Sequence, residues 1–123
     1  MKVLALDYGS ARTGVAVSDP TGTVARPLCT VERASPESIR ALVEAEAADR
    51  VVVGLPLTLR GEHGSQAEET QRFVEALRAA IDVPVETFDE RFTTVLAGPG
   101  AGDDARAAAH LLSSYLEWSS RRS

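Results

Sequence analysis

A chain of 123 residues with 44% hydrophobic and 25% charged side chains falls in the globular range, large enough for one real core and too small for two lobes of ordinary size. A net charge of −5 argues against a general, salt-driven nucleic-acid binder but not against an acidic site that holds divalent cations. The single cysteine, Cys29, excludes a disulfide framework and a cysteine-built zinc site within one chain, and no apolar run approaches the roughly 18 residues of a membrane span.

The start, Met1-Lys2, runs into a strand rather than a signal-peptide pattern, so the expectation is a soluble cytoplasmic protein with no membrane partner. Lys2 to Asp7 is almost wholly apolar until its closing carboxylate, as expected for a central strand covered on both faces. Val15 to Ser18 reads as a second strand, with Gly9 and Gly14 allowing the turn before it. Thr23 to Val31, after the turn Asp19-Pro20-Thr21-Gly22, reads as a third, which makes an antiparallel meander. Ser35-Pro36-Glu37 supplies an N-cap, a proline at the first helical position and an acid in the first turn. Ile39, Leu42, Val43 and Ala47 give that helix its apolar stripe.

Val51 to Pro56 is a buried, β-branched strand with a proline stop, followed by a loop through Arg60, Gly61, His63 and Gly64. Ser65-Gln66-Ala67-Glu68 has capping-box spacing and opens a helix to about Ile81, with Phe73, Val74, Leu77 and Ile81 on its apolar face. Pro84 to Phe88 is a fifth strand that runs into Asp89-Glu90-Arg91. After a glycine-rich loop over Val95 to Gly102, Asp103-Asp104 opens a last helix with Leu111, Leu112, Tyr115, Leu116 and Trp118 to bury. The order βββαβαβα describes a single α/β domain over residues 1–123, with a mixed five-stranded sheet flanked by helices.

Three acidic positions fall at element ends: Asp7, Asp89-Glu90 and Asp103-Asp104. A carboxylate at the end of a buried strand is costly unless it has a partner, sits at the wet edge of the sheet or binds a cation. Two or three such oxygen ligands suit Mg²⁺ or Mn²⁺, and a pair of these ions about 3.5–4 Å apart serves phosphodiester cleavage. Asp104 is followed at i+4, i+7 and i+11 by Ala108, Leu111 and Tyr115, which aims it at the sheet; Asp103 then reads as the N-cap. Strand alternation puts Asp89 and Glu90 on opposite faces without saying which face is catalytic, and Arg91 could neutralise either. The glycines Gly9, Gly14, Gly61 and Gly64 could approach phosphate but read first as turn residues. His63 reads as a solvated loop residue, and His110 and Cys29 as structural.

Four ordered stretches carry a resemblance to a known family. Leu6-Asp7-Tyr8-Gly9 through Arg12-Thr13-Gly14 to Asp19, Val53-Gly54-Leu55-Pro56 with Gly61 and Gly64, Asp89-Glu90-Arg91-Phe92-Thr93-Thr94, and Asp104 to Leu116 together resemble the bacterial YqgF family, also called RuvX. The resemblance implies a ribonuclease H-like fold related to the resolvase RuvC. It also implies a metal-dependent nuclease that acts on four-way DNA junctions, on the 5′ end of pre-16S rRNA, or on both. It assigns Asp7, Glu90 and Asp104 as a catalytic triad that binds Mg²⁺ or Mn²⁺, with Arg12 and Arg91 contacting phosphate. A resolvase role further implies a homodimer, because a symmetric junction presents two cuts.

The chain departs from this pattern in two places. The fourth strand ends in Gly54-Leu55-Pro56, where many ribonuclease H-like enzymes carry an acid, so that ligand role falls to Asp89 or Glu90. The segment between Thr94 and Asp103 is short and uncharged where family members commonly carry basic residues, which implies a weaker grip on substrate. Two other readings compete. One is a non-catalytic binding module on ribosome precursors; the other is an ATPase lobe of the actin and Hsp70 type, which would need a second lobe around its nucleotide.

Overall fold

The structure, a computed structural model, describes residues 1–56, 64–90 and 104–122. Five strands, β1 (Val3–Asp7), β2 (Arg12–Ser18), β3 (Ala25–Glu32), β4 (Arg50–Leu55) and β5 (Val85–Asp89), form one mixed sheet in the order β3-β2-β1-β4-β5. The meander β1-β2-β3 is antiparallel, while β4 and β5 run parallel to β1. The strand that ends in Asp7 is therefore central, and its carboxyl end lies on the same sheet edge as the carboxyl ends of β4 and β5.

Strand alternation sorts the core into two layers. Leu4, Leu6, Val15, Val17, Val51, Val53 and Val85 face helices α1 (Pro36–Glu46) and α2 (Ser65–Ala80). Val3, Ala5, Ala16, Val52 and Phe88 face helix α3 (Asp104–Arg122), which buries Ala108, Leu111, Leu112 and Tyr115 against them. Full burial of a leucine such as Leu112 contributes about 2 kcal/mol. Small residues dominate the sheet beneath the start of α3, so the helix backbone comes close there. At the far end the Arg50 guanidinium donates to Glu86 at 2.9 Å and to the Tyr115 hydroxyl at 3.0 Å, and that hydroxyl donates to Glu86. This network ties β4, β5 and α3 together away from the acids.

Several elements differ from the sequence expectation. The second strand begins at Arg12, three residues early, so Gly14 lies inside β2 opposite Asp7 and only Gly9 serves the turn. The Ser35 cap holds and gains a reciprocal bond, with Ser38 as the partner that completes the capping box. Ala47 is off the stripe: it takes a left-handed conformation at φ 51° as the C-cap, and Ala48 turns inward instead. The expected capping box at Ser65 is absent because Gly64 is the N-cap, which puts Ser65 already in the first turn. Trp118 is 39% exposed and leans on Phe88 and Tyr115 rather than filling the core. His110 is exposed on α3, and Cys29 is half-buried in β3. Arg60, Gly61, His63, the Val95 to Gly102 loop and the Asp103 cap lie outside the described residues.

Candidate active site

Asp7, Gly14, Gly54 and Glu90 share one face of the sheet because each continues an alternation that puts its neighbours against α3. Val3 and Ala5 precede Asp7 on that face, Ala16 follows Gly14, Val52 precedes Gly54, and Phe88 precedes Glu90. The same parity puts Asp89 on the opposite face with Val85. Glu90, the residue just after β5, is thereby the acid that reaches Asp7, and the two carboxyls are hydrogen-bonded.

Two carboxylates in contact cannot both stay ionised without a proton or a cation between them. Burial raises Glu90 first, and the charge of Asp7, its hydrogen bond to Asp7 and the charge of Asp89 add to this, so its pKa is pushed up to about 7. Asp7 is also raised, by burial and then by the charge of Asp104, while the hydrogen bond from Glu90 works the other way. The two carboxyls titrate as a pair that shares one proton below about pH 7.

Asp104 opens α3 and adds a third carboxylate whose field reaches Asp7. Its Oδ2 lies 3.4 Å from Arg12 Nε, at the start of β2. Arg12 is the most exposed of the group at 57%, so its guanidinium faces solvent at the mouth of the cluster. The glycines explain how α3 comes so near. A Cβ on Gly14 would stand 1.8 Å from the Asp104 carbonyl oxygen, and one on Gly54 would stand 3.0 Å from both Glu90 Cγ and Leu111 Cδ2. Sequence reasoning placed Gly14 in a turn and gave Gly54 no function. The signal for both was a glycine in a β-branched run, which marks a close backbone approach.

Hard carboxylate oxygens, two of them sharing a proton that a cation would replace, match the donor preference of Mg²⁺ and Mn²⁺. Asp104, paired with Arg12, is near enough for its charge to act on Asp7. Among the described residues no three acid, histidine or cysteine side chains are gathered closely enough to enclose an ion as a set. The donor chemistry therefore fits such an ion, with Asp7 and Glu90 as the preformed part. Arg91 lies outside the described residues, and no described helix is long and apolar enough to cross a membrane.

The family model for RuvX, described as a Holliday junction resolvase, matches residues 1–118. A protein of Chloroflexus aggregans named "Putative pre-16S rRNA nuclease" is 52% identical over 99 residues, covering 77% of this chain and 70% of that protein. One of the same name from Rubrobacter xylanophilus is 46% identical over 128 residues, covering 94% and 92%. Among solved structures, Thermus thermophilus RuvC in complex with a Holliday junction substrate superposes with a TM-score of 0.64 at 16% identity, covering 98% of this chain and 96% of that one. That likeness carries the fold, which is the ribonuclease H-like arrangement of RuvC, and the sequence matches carry the kinship: the chain belongs to the RuvX family of nucleases.

Proposed function

We propose that this chain is a divalent-metal-dependent endonuclease that hydrolyses phosphodiester bonds in structured nucleic acid. The substrates that fit its family are a four-way DNA junction and the 5′ leader of pre-16S rRNA, both in the cytoplasm. The observation that carries the reading is the Asp7–Glu90 carboxyl pair with Asp104 beside it, a concentration of negative charge that a structural role does not need.

Asp7, central in the sheet, and Glu90 would hold Mg²⁺ or Mn²⁺, and Asp104 would complete the set on leaving Arg12. When bound, such an ion would supply positive charge to the scissile phosphate and lower the pKa of an attacking water. Arg12, exposed and arginine-forked, is placed to meet a backbone phosphate, and such a contact would free Asp104 from its ion pair. Glu90, whose raised carboxyl faces Asp7, would give up its proton as the ion binds. The resolvase role adds a homodimer with one such site per copy.

The test is cleavage of a labelled Holliday junction and of a pre-16S leader RNA, each in Mg²⁺, in Mn²⁺ and in chelator. Metal-dependent cutting by the wild-type chain and none by Asp7→Asn is the expected pattern. Undiminished cutting by Asp7→Asn would sink the mechanism. Sedimentation on junction DNA that shows only one copy would remove the dimer.

A further inference from the structure

We infer that Gly54 is a positioning residue that brings the second carboxylate into the cluster from β5, by leaving empty the space into which Glu90 folds. This rests on the metal-site reading above and adds a residue to it that carries no functional group of its own. Gly54 follows Val53, the β4 partner of Leu6, so it lies beside Asp7 on the central pair of strands. Its α-hydrogen faces α3, and a Cβ there would stand 3.0 Å from Glu90 Cγ, 3.1 Å from Glu90 Cδ and 3.0 Å from Leu111 Cδ2. The space a β4 side chain would take is occupied by the Glu90 chain on its way to Asp7.

The contrast with Gly14 shows what kind of constraint this is. At Gly14 the obstacle is the α3 backbone at 1.8 Å, so a side chain there moves the helix. At Gly54 the obstacles are two side chains in the 3.0–3.4 Å range that a few tenths of an ångström would relieve. An added methyl is therefore compatible with the fold, and what gives way is either Glu90 or Leu111. Leu111 is 2% exposed and packed inside the α3 layer, whereas Glu90 is half-buried and lies just past the end of β5. Glu90 has the freer path and moves away from Asp7.

The same geometry gives a gain-of-function counterpart. A carboxylate grown from position 54 would fall where the Glu90 side chain now runs, once Glu90 is cut back. Gly54→Asp with Glu90→Ala would thus supply the second donor directly from β4.

The experiment measures Mn²⁺ affinity by electron paramagnetic resonance, together with a structure of Gly54→Ala and its kcat and KM on junction DNA. The expectation for Gly54→Ala is a cooperative fold, Mn²⁺ bound about tenfold or more weakly, and a loss carried by kcat rather than KM. Its structure should show the Asp7–Glu90 contact broken. Gly54→Asp/Glu90→Ala should bind Mn²⁺ more tightly than Glu90→Ala alone. A Gly54→Ala structure that keeps the Asp7–Glu90 contact, with Leu111 displaced instead, overturns the inference whatever the activity. So does a double variant that folds and binds no better than Glu90→Ala. A wild-type chain that binds Mn²⁺ yet cuts neither substrate would end the nuclease reading while leaving this positioning role to be decided by the affinities and the structure.

Discussion

Arg12 Nε stands 3.4 Å from Asp104 Oδ2, so a basic residue at the site is held by one of the acids it would work beside. With Arg12 exposed and Asp104 partly so, such a pair contributes at most ~1 kcal/mol to stability. Its larger effect is to keep a positive charge at the mouth of an acidic cluster until phosphate competes for it. Arg12→Ala should therefore shift stability by less than ~1 kcal/mol in thermal or urea melts. The same change should weaken binding to junction DNA, measured with chelator present, and lower the slope of log K against log salt by about 0.9. A slope equal to wild type would show that Arg12 makes no phosphate contact.

Gly14 sets the height of α3 above the sheet. Since a Cβ there meets the Asp104 carbonyl at 1.8 Å, Gly14→Ala forces backbone to move rather than a side-chain tip. The expected cost is about 3 kcal/mol in urea unfolding, at the upper end of overpacking effects, together with weaker Mn²⁺ binding because Asp104 travels with the helix. A variant with wild-type stability and metal affinity would mean that the helix start is not seated on Gly14 in solution.

How far the sequence spoke for itself follows from which residues were local in their signal. The N-cap at Ser35 and the inward aim of Asp104 were readable because each depends on spacing within one helix. The central position of β1 was readable because its run is apolar on both faces. The choice between Asp89 and Glu90 was not, because it depends on which face of β5 meets α3, a tertiary fact. The clue was present in Phe88 and Val85, whose parity assigns the faces once α3 is known to cover Ala5 and Ala16. Gly14 was misread as a turn for the same reason: its place in an apolar strand marks a close approach without saying that the start of α3, ninety residues downstream, is what approaches. Arg12 was legible as a cation but not as the partner of Asp104.

The carboxyl pair makes stability depend on pH. A raised carboxyl binds its proton more tightly folded than unfolded, so between the ordinary glutamate value and about 7 the native state holds more protons. Stability is therefore fully present below the unfolded pKa and is lost as pH rises through about 7. Discounted for partial exposure, the loss attributable to Glu90 is on the order of 1–2 kcal/mol. Melting in chelator from pH 5 to 8 should show this fall, and Glu90→Gln should flatten it. Metal competes with the same proton, so apparent Mn²⁺ affinity should weaken by about tenfold per pH unit below the Glu90 pKa. A flat affinity between pH 5.5 and 7 would show that no shared proton is displaced.

Asp7 is where the requirements of folding and of chemistry oppose each other. It ends a strand whose other residues are buried, its carboxylate lies against Glu90 and in the field of Asp104, and both burial and Asp104 disfavour its charge. Asn keeps the size and hydrogen-bonding capacity of the side chain while removing that charge. In chelator at pH 8, Asp7→Asn should thus be more stable than wild type, by about 1 kcal/mol, since a like charge leaves a half-buried acidic cluster. Added metal should reverse the order. Wild type gains about 2.7 kcal/mol at a metal concentration one hundred times its Kd, whereas the variant, lacking the central donor, gains little. Paired melts with chelator and with Mg²⁺ read both halves, and cleavage by the variant should fall to background. A variant less stable than wild type in chelator would mean that Asp7 is held by favourable partners, and that the acid is a structural one.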